Sequence, residues 1–411
     1  MYVDLHPRLQ QDQDAVEASK LISACVHCGF CLATCPTYLD GGDERDSPRG
    51  RIYLLKQLLE TGTAGAATRR HLDSCLTCRS CETTCPSGMQ YGNLLDIGRG
   101  MMERDAPRPL PQRAWRGLLR QVFSRPALFA LLLRPAQWLR PALPRALAGK
   151  IPPRQQVGEP PRALHKRSML VLDGCVQQAA TPATNAAAAR VLDRLAISLV
   201  AVRSAGCCGA VNYHLGAHEP GLDNMRRNID AWWPQVEAGV EAIVSCATGC
   251  GSMLAEYGKA LAHDPGYAHK AARIAALHRD IAEVIAGEDL AELGRAAGTQ
   301  RIAVHVPCSQ QHALRQGGMV QRVLSSAGFE LSVTRDDHLC CGSAGTYSVL
   351  QPQRAGRLRE RKLAALSGDR PDVIVSANIG CQLHLGEAAG IPVRHWIELL
   401  DEALATSAPK T

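Results

Sequence analysis

No stretch of this 411-residue chain is long and apolar enough to cross a bilayer. The longest strongly apolar run, Ala127 to Leu133, lies between Arg125-Pro126 and Arg134-Pro135. Met1 to Lys20 is polar and lacks the apolar segment of an export signal. There is no intact Gly-x-Gly-x-x-Gly fingerprint and no P-loop, which argues against a dinucleotide or nucleoside triphosphate site. No Ser-His-Asp set or carboxylate pair is readable as a catalytic group. Acid is missing locally: Ala106 to Gly158 holds ten Lys or Arg and no Asp or Glu. The formal charge of +7 is therefore concentrated in one segment, which suits a docking surface better than general nucleic-acid binding.

What the chain has in quantity is cysteine, 17 residues, an odd number. Without an export signal these are expected to be thiols in a reducing cytosol, not disulfides. Eight fall in two runs fifty residues apart, Cys25, Cys28, Cys31, Cys35-Pro36 and Cys75, Cys78, Cys81, Cys85-Pro86. Both read C-x2-C-x2-C-x3-C-P, the ferredoxin signature for a [4Fe–4S] cluster. Two-residue gaps let one tight loop present three sulfurs, and the following Pro restricts the fourth Cys. In two-cluster ferredoxins that fourth Cys serves the other cluster. The expected sets are Cys25, Cys28, Cys31 with Cys85, and Cys75, Cys78, Cys81 with Cys35. A zinc site, the competing reading, would use two pairs of ligands. His27 reads as a surface loop residue, with a hydrogen bond to a cluster as the alternative.

Residues 11–24 are expected to form a short helix. Ser47 and Pro48 then open another as N-cap and first residue, with Ile52, Leu54, Leu55, Leu58 and Leu59 on its apolar face. A third helix is expected over Ala66 to Asp73. Arg49 and Arg51 read as helix-surface or partner contacts, with hydrogen bonding near a cluster as the alternative. Residues 1–105 thus read as an α-helical ferredoxin domain with two [4Fe–4S] clusters.

Residues 106–165 form a basic, Pro-rich linker chopped into short segments. Trp115, Leu118, Leu119, Phe123, Phe129, Trp138 and Leu139 alternate there with Arg113, Arg116, Arg120, Arg125 and Arg134. Such helices suit an anionic membrane surface. The plainer reading, slightly preferred, packs them on the neighbouring domain with the Arg in solvent.

From Ser168 the chain repeats itself. Strands are expected at Met169–Asp173, Ile197–Val202 and Ala242–Ser245, then at Arg301–Val306, Phe329–Thr334 and Val373–Ser376. Helices are expected at Asn185–Leu195 and Leu222–Trp232, then at His312–Ala327 and Pro352–Leu366. An offset of 133 superimposes Cys175 on Cys308 and Cys207-Cys208 on Cys340-Cys341, with 31 residues between the lone Cys and the pair in both copies. Cys246 and Cys250 follow the third strand of the first copy, and Cys381 follows that of the second. Each block lies after a strand, so a parallel sheet would gather the blocks at its carboxyl edge. Gly beside each pair lets the backbone approach a bulky group closely. His305, His312, His338 and His384 read as residues supporting these loops and not as ligands.

These doubled blocks resemble the cysteine-rich CCG domain of heterodisulfide reductase. The stretches Ala24-Cys-Val-His-Cys-Gly-Phe-Cys31, Arg49-Gly-Arg-Ile-Tyr53, Ala205-Gly-Cys-Cys-Gly-Ala210, His338-Leu-Cys-Cys-Gly-Ser-Ala-Gly-Thr-Tyr347 and Ala377-Asn-Ile-Gly-Cys381 are similar to the family of bacterial glycolate oxidase iron–sulfur subunits. The resemblance implies an α+β multidomain chain: the ferredoxin domain (1–105), the linker (106–165), and two α/β parallel-sheet CCG domains (166–298 and 299–411). It implies an electron-transfer subunit of a flavin-linked glycolate dehydrogenase, without flavin chemistry of its own. FAD-containing glycolate oxidase subunits would supply the electrons, and quinone would accept them. No nucleic-acid partner is expected. The implied location is cytoplasmic, with peripheral contact to the inner membrane left open.

The chain departs from the heterodisulfide reductase pattern of five Cys per CCG domain. The first repeat has five (Cys175, Cys207, Cys208, Cys246, Cys250), but its last pair is spaced C-x3-C. The second has four (Cys308, Cys340, Cys341, Cys381), with Ala377 where Cys246 aligns. A third iron–sulfur centre therefore stays open, most plausibly in the first repeat, as do redox thiols. The alternatives are a subunit of a lactate or glycerol-3-phosphate dehydrogenase, or a thiol reductase in its own right.

Overall fold

The computed structural model describes residues 1–290, 293 and 300–407. The expected boundary at 298/299 lies outside the described residues.

The amino-terminal part is helical because its apolar residues recur at helical spacing and its helix starts are capped. Helices Gln13–Ser23, Pro48–Thr61, Ala66–Asp73 and Tyr91–Asp105 converge on one core that includes Ile22, Leu55, Leu58, Leu72, Leu94 and Met101. Asp12 Oδ1 accepts from Ala15 N at 3.2 Å, and Ser47 Oγ from Gly50 N at 3.0 Å, each satisfying a donor the helix leaves free. The approach is close: a Cβ on Gly98 would stand 2.4 Å from Leu55 Cδ2.

The linker's two long helices are Leu110–Ser124 and Pro126–Leu139. Pro126 begins the second, but Pro135 sits inside it and does not end it. The first buries only Leu119 and Ser124, and the second buries no residue. The preferred reading of helices packed down on a neighbour is therefore only partly met. Phe129 and Leu133 lie against Ala180, Ala247 and Ile379, while Leu110, Trp115, Leu118, Leu131, Leu132, Trp138 and Leu139 face solvent. Nor are all the Arg solvated: Arg116 pairs with Asp73 at 3.0 Å.

Two four-stranded parallel sheets follow. The first contains β1 (Arg167–Leu172), β2 (Ile197–Ala201), β3 (Ile243–Ser245) and β4 (His278–Asp280) in the order β2-β1-β3-β4. The second contains β5 (Arg301–His305), β6 (Glu330–Leu331), β7 (Val373–Ser376) and β8 (Val393–His395) in the order β6-β5-β7-β8. The fourth strand of each is short and carries polar residues, so no apolar run announces it. β6 is shorter than the expected Phe329–Thr334, as suits an edge strand paired on one side. The expected helix His312–Ala327 is instead a π-turn, Ser309–Ala313, and a helix, Met319–Ser326. Arg315 (φ 58) and Gly318 (φ 77) take left-handed backbone between them, which an α-helix cannot carry.

The two sheets share one core. Helix Pro182–Arg194 of the first repeat packs on Trp396–Ser407 of the second. Reciprocally, Ile281–Ala286 of the first packs on Met319–Ser326 of the second. Thr248 N donates to Ala377 O at 3.1 Å, and Gly249 N to Asn378 Oδ1 at 3.1 Å, tying the carboxyl edges of the sheets together.

Candidate metal centres

The two amino-terminal cysteine runs fold the same way. His27 (φ 55) and Gly29 (φ 86) are left-handed in the first, and Thr77 (φ 56) and Arg79 (φ 61) in the second. Three of these four are not glycine, and such strain persists only where the surroundings fix the loop. A short helical turn follows each loop, Phe30–Leu32 and Ser80–Thr83. Cys35 is then extended (φ −85, ψ 111) because Pro36 follows it.

That geometry brings Cys35 to the second run. One cavity is lined by Cys75, Cys78, Cys81 and Cys35, together with Leu76, Tyr91, Arg51 and Arg79. Among the described residues no carboxylate lines it. Thr77 N donates to Cys75 Sγ at 3.4 Å, Tyr91 Oη to Cys75 Sγ at 3.8 Å, and Thr37 Oγ1 lies 3.3 Å from Cys35 Sγ. Burial pushes the Cys78 and Cys81 thiols up, so their deprotonated forms call for a cationic partner. Four sulfurs, sulfur-directed hydrogen bonds and two guanidiniums fit an anionic all-thiolate iron–sulfur group.

Arg51 corrects the preferred sequence reading. It is fully buried, and its guanidinium donates to His71 O (2.7 Å), Ser74 Oγ (2.8 Å), Thr37 Oγ1 (3.1 Å) and Asp46 Oδ1 (3.4 Å). Burial alone would raise the Asp46 carboxyl. Hydrogen bonds from Ser74 and His71 and the charges of Arg51 and Arg354 outweigh it and hold the carboxyl below its usual range. A signal was present in the sequence: Arg51 lies on the same helical stripe as Ile52, Leu55, Leu58 and Leu59.

In the first run Cys25 is buried, and Cys31 and Cys85 lie partly buried against the same core. Cys28 is exposed, beside exposed Val26 and Phe30. Arg49 covers this loop: a Cβ on Gly29 would stand 2.8 Å from its Nη1. Its Nε pairs with Glu44 at 2.6 Å. His27 is exposed.

In the first repeat the carboxyl ends of β1, β2 and β3 gather four thiols. Cys207 interacts with Cys175 and Cys208, and Cys208 with Cys250, side chain to side chain. Gly209 N also donates to Cys207 Sγ at 3.4 Å. These donors hold the Cys207 thiol well below its usual range. Cys246 stands apart, buried in the core between the sheets, with Asp280 and Asp173 as its charged neighbours. The expected five-Cys group of this repeat is therefore a four-Cys group.

The second repeat builds the same four. Cys308 Sγ lies 3.7 Å from Cys340 Sγ, and Cys340 interacts in turn with Cys341, and Cys341 with Cys381, side chain to side chain. Gly342 N donates to Cys340 Sγ at 3.5 Å, as Gly209 does to Cys207. Gly209 (φ 93) and Gly342 (φ 90) are each left-handed, and a Cβ on either would stand 2.7 Å from a helix carbonyl. Both limits require glycine there. Two histidines do support loops: His312 bridges Thr83 Oγ1 (2.8 Å) and His338 O (2.9 Å), and His384 Nε2 bonds Ala355 O (3.2 Å). His305 differs, because it lies with Cys341 and Cys381, their ligand atoms all within 4.8 Å of one another.

The second repeat also touches the ferredoxin part through sulfur. Leu76 and Cys78 pack in one cluster with Cys340, Tyr347 and Leu358, with Cys308 against it. The cavity of the second run thus lies beside the thiols of the second repeat.

Comparison with known families matches residues 21–89 to the 4Fe-4S dicluster domain and residues 169–255 and 302–386 to the Cysteine-rich domain. The chain is 51% identical over 405 residues to the glycolate oxidase iron-sulfur subunit of Escherichia coli (strain K12), covering 98% of this chain and 99% of that protein. It is 29% identical over 418 residues to the probable glycolate oxidase iron-sulfur subunit of Bacillus subtilis (strain 168), covering 92% and 93%. It is 26% identical over 221 residues to lactate utilization protein A of Bacillus licheniformis, covering 52% of this chain and 91% of that protein.

Proposed function

The chain belongs to the family of glycolate oxidase iron–sulfur subunits, and from that premise we propose that it carries electrons for a flavin-linked glycolate dehydrogenase. Glycolate is oxidised to glyoxylate on FAD-containing partner subunits, and this chain passes the electrons onward, with quinone as the acceptor. Two [4Fe–4S] groups supply reversible one-electron chemistry when bound. Cys25, Cys28, Cys31 and Cys85 hold one, and Cys75, Cys78, Cys81 and Cys35 hold the other. The observation that carries this reading is the cavity where Cys35 of one run meets three Cys of the other.

The remaining residues tune and insulate. Arg51 and Arg79 place positive charge beside the second site, and Leu76 and Tyr91 limit water. The exposed Cys28 makes the first site the natural point of exchange with a partner subunit. On this reading the hydride chemistry belongs to the flavin of the partner subunits, so the substrate need not touch this chain.

Among the described residues no helix is long and apolar enough to cross a membrane. Contact with a quinone-bearing bilayer would therefore be peripheral, at the exposed apolar and basic face of helices Leu110–Ser124 and Pro126–Leu139.

The test is deletion of the gene, followed by assays of glycolate- and lactate-dependent dye reduction. Loss of glycolate activity, restored by the intact chain but not by a Cys75→Ser variant, is expected. Loss of lactate activity alone would transfer the reading to a lactate dehydrogenase, as the Bacillus licheniformis relative would suggest.

A further inference from the structure

We propose that the second cysteine-rich repeat holds an iron–sulfur centre of its own, with His305 supplying an imidazole nitrogen in place of a fifth thiolate. This goes beyond the two ferredoxin-type groups, and it rests on the reading of the chain as an iron–sulfur protein.

Four observations carry it. First, five soft donors converge: Cys308, Cys340, Cys341 and Cys381 in a chain of sulfur contacts, and His305 beside the last two. A single tetrahedral zinc takes four ligands, so five point to a polynuclear group. Second, His305 is 2% exposed and its Nε2 has no hydrogen-bond partner among the described residues. Its other nitrogen, Nδ1, lies 2.9 Å from Ser376 Oγ. When Nδ1 donates that bond, Nε2 presents a lone pair, which is how ligating imidazoles are oriented. An unpaired nitrogen at this depth is otherwise costly. Third, the donors are provided with charge and hydrogen bonds of the right sign. Lys362 is buried beside Cys340 and Cys341, and Asn378 Nδ2 donates to Cys381 Sγ at 3.3 Å. Fourth, the two repeats differ at this donor. The last residue of β5 is His305, and the last residue of β1 is Leu172, which cannot ligate. The repeat with fewer Cys is therefore the better equipped, contrary to what counting Cys suggests.

The location gives the centre a role. Cys340 and Cys308 pack with Cys78, a residue of the second ferredoxin-type site. A group bound here would sit next to that site, buried and away from solvent, as a further electron store in series with it.

The experiment uses the full chain, prepared anaerobically, with and without 15N-histidine. Iron above the roughly eight atoms of two four-iron clusters is expected. So is a further paramagnetic signal carrying an imidazole nitrogen coupling that changes with the label. His305→Cys should keep the iron but lose that coupling, and its midpoint potential should fall, since histidine in place of thiolate raises it. Cys250→Ser in the first repeat should leave the signal unchanged. Iron held at about eight with intact ferredoxin-type signals would overturn this inference alone. So would zinc in the site, or a coupling that survives His305→Cys. Loss of the ferredoxin-type signals in wild-type protein would instead overturn the proposed function. His305→Ala, which removes the donor without replacing it, should lose the extra iron while the ferredoxin-type signals report that the chain has folded.

Discussion

A buried guanidinium such as that of Arg51 is held by every partner it reaches, and its removal strands them. Replacing Arg51 by Leu leaves Asp46 and Ser74 short of a partner and should cost about 3–5 kcal/mol in denaturant unfolding. It also removes a positive charge beside Cys75 and Cys35. Reduction adds negative charge to the bound group, so the midpoint potential should fall in a redox titration, with Arg51→Lys intermediate. Asp280 gives a pH prediction. Burial pushes its carboxyl up to about 7, and its Oδ2 has no partner among the described residues. The folded chain therefore binds a proton that the unfolded chain has released between about pH 4 and 7, so this residue's contribution to stability falls as pH rises through that window. Asp280→Asn keeps the side-chain oxygen that accepts from Ala282 N at 2.9 Å. It should raise stability at neutral pH and flatten the slope, measured by thermal unfolding from pH 5 to 8. Buried His278 and His395, pushed down to about 4 and about 3, contribute the opposite slope below the usual histidine range. At this scale the Cys runs were legible because spacing is itself the ligand geometry. Arg51 and His305 were not, because a charged or polar residue is ordinarily at the surface and only packing reveals otherwise.

Elements tell the same story one level up. The alternation of apolar runs with helical stretches made the parallel sheets legible, and with them the gathering of Cys blocks at the carboxyl edges. The short strands β4 and β8 escaped because three residues of mixed polarity carry no period. The break before helix Met319–Ser326 was written in Gly317-Gly318, within an otherwise helical pattern. Helices Leu110–Ser124 and Pro126–Leu139 were legible as amphipathic, but their partner was not. Leaving Trp138 at 81% exposure makes sense only if something covers it. With exposed Arg113, Arg125 and Arg134 nearby and no acid in the segment, an anionic bilayer fits. Flotation with vesicles rich in anionic phospholipid should carry the wild-type chain and lose it in high salt. Arg113→Glu with Arg125→Glu and Arg134→Glu should abolish flotation while iron content is unchanged. Binding that persists in the triple variant would reject the membrane reading.

At the scale of the whole molecule the ferredoxin part contacts both repeats. Towards the first repeat, Asp96 pairs with His214 at 3.0 Å, Arg99 Nη1 donates to His214 O at 3.2 Å, and Arg79 pairs with Glu256. Towards the second, Tyr347 Oη donates to Ser74 O at 3.1 Å and Arg354 pairs with Asp46 at 3.0 Å. Asp40 holds both Arg354 and Arg357, and these charges keep its carboxyl below its usual range despite partial burial. The second Cys run is therefore enclosed by a seam between parts of the chain, while the first, with Cys28 exposed, is not. Protection of the second site should depend on that seam. Asp40→Ala removes the partner of Arg357 and leaves Arg354 with Asp46 alone, and it should loosen the seam without touching a ligand. On exposure to air, the signal of the second site should then decay several-fold faster than in the wild type, and that of the first site should decay as before. Equal acceleration of both would mean that Asp40 acts through overall stability. No acceleration would mean that the apolar contacts of Leu76 with Tyr347 and Leu358 close the seam without the ion pairs.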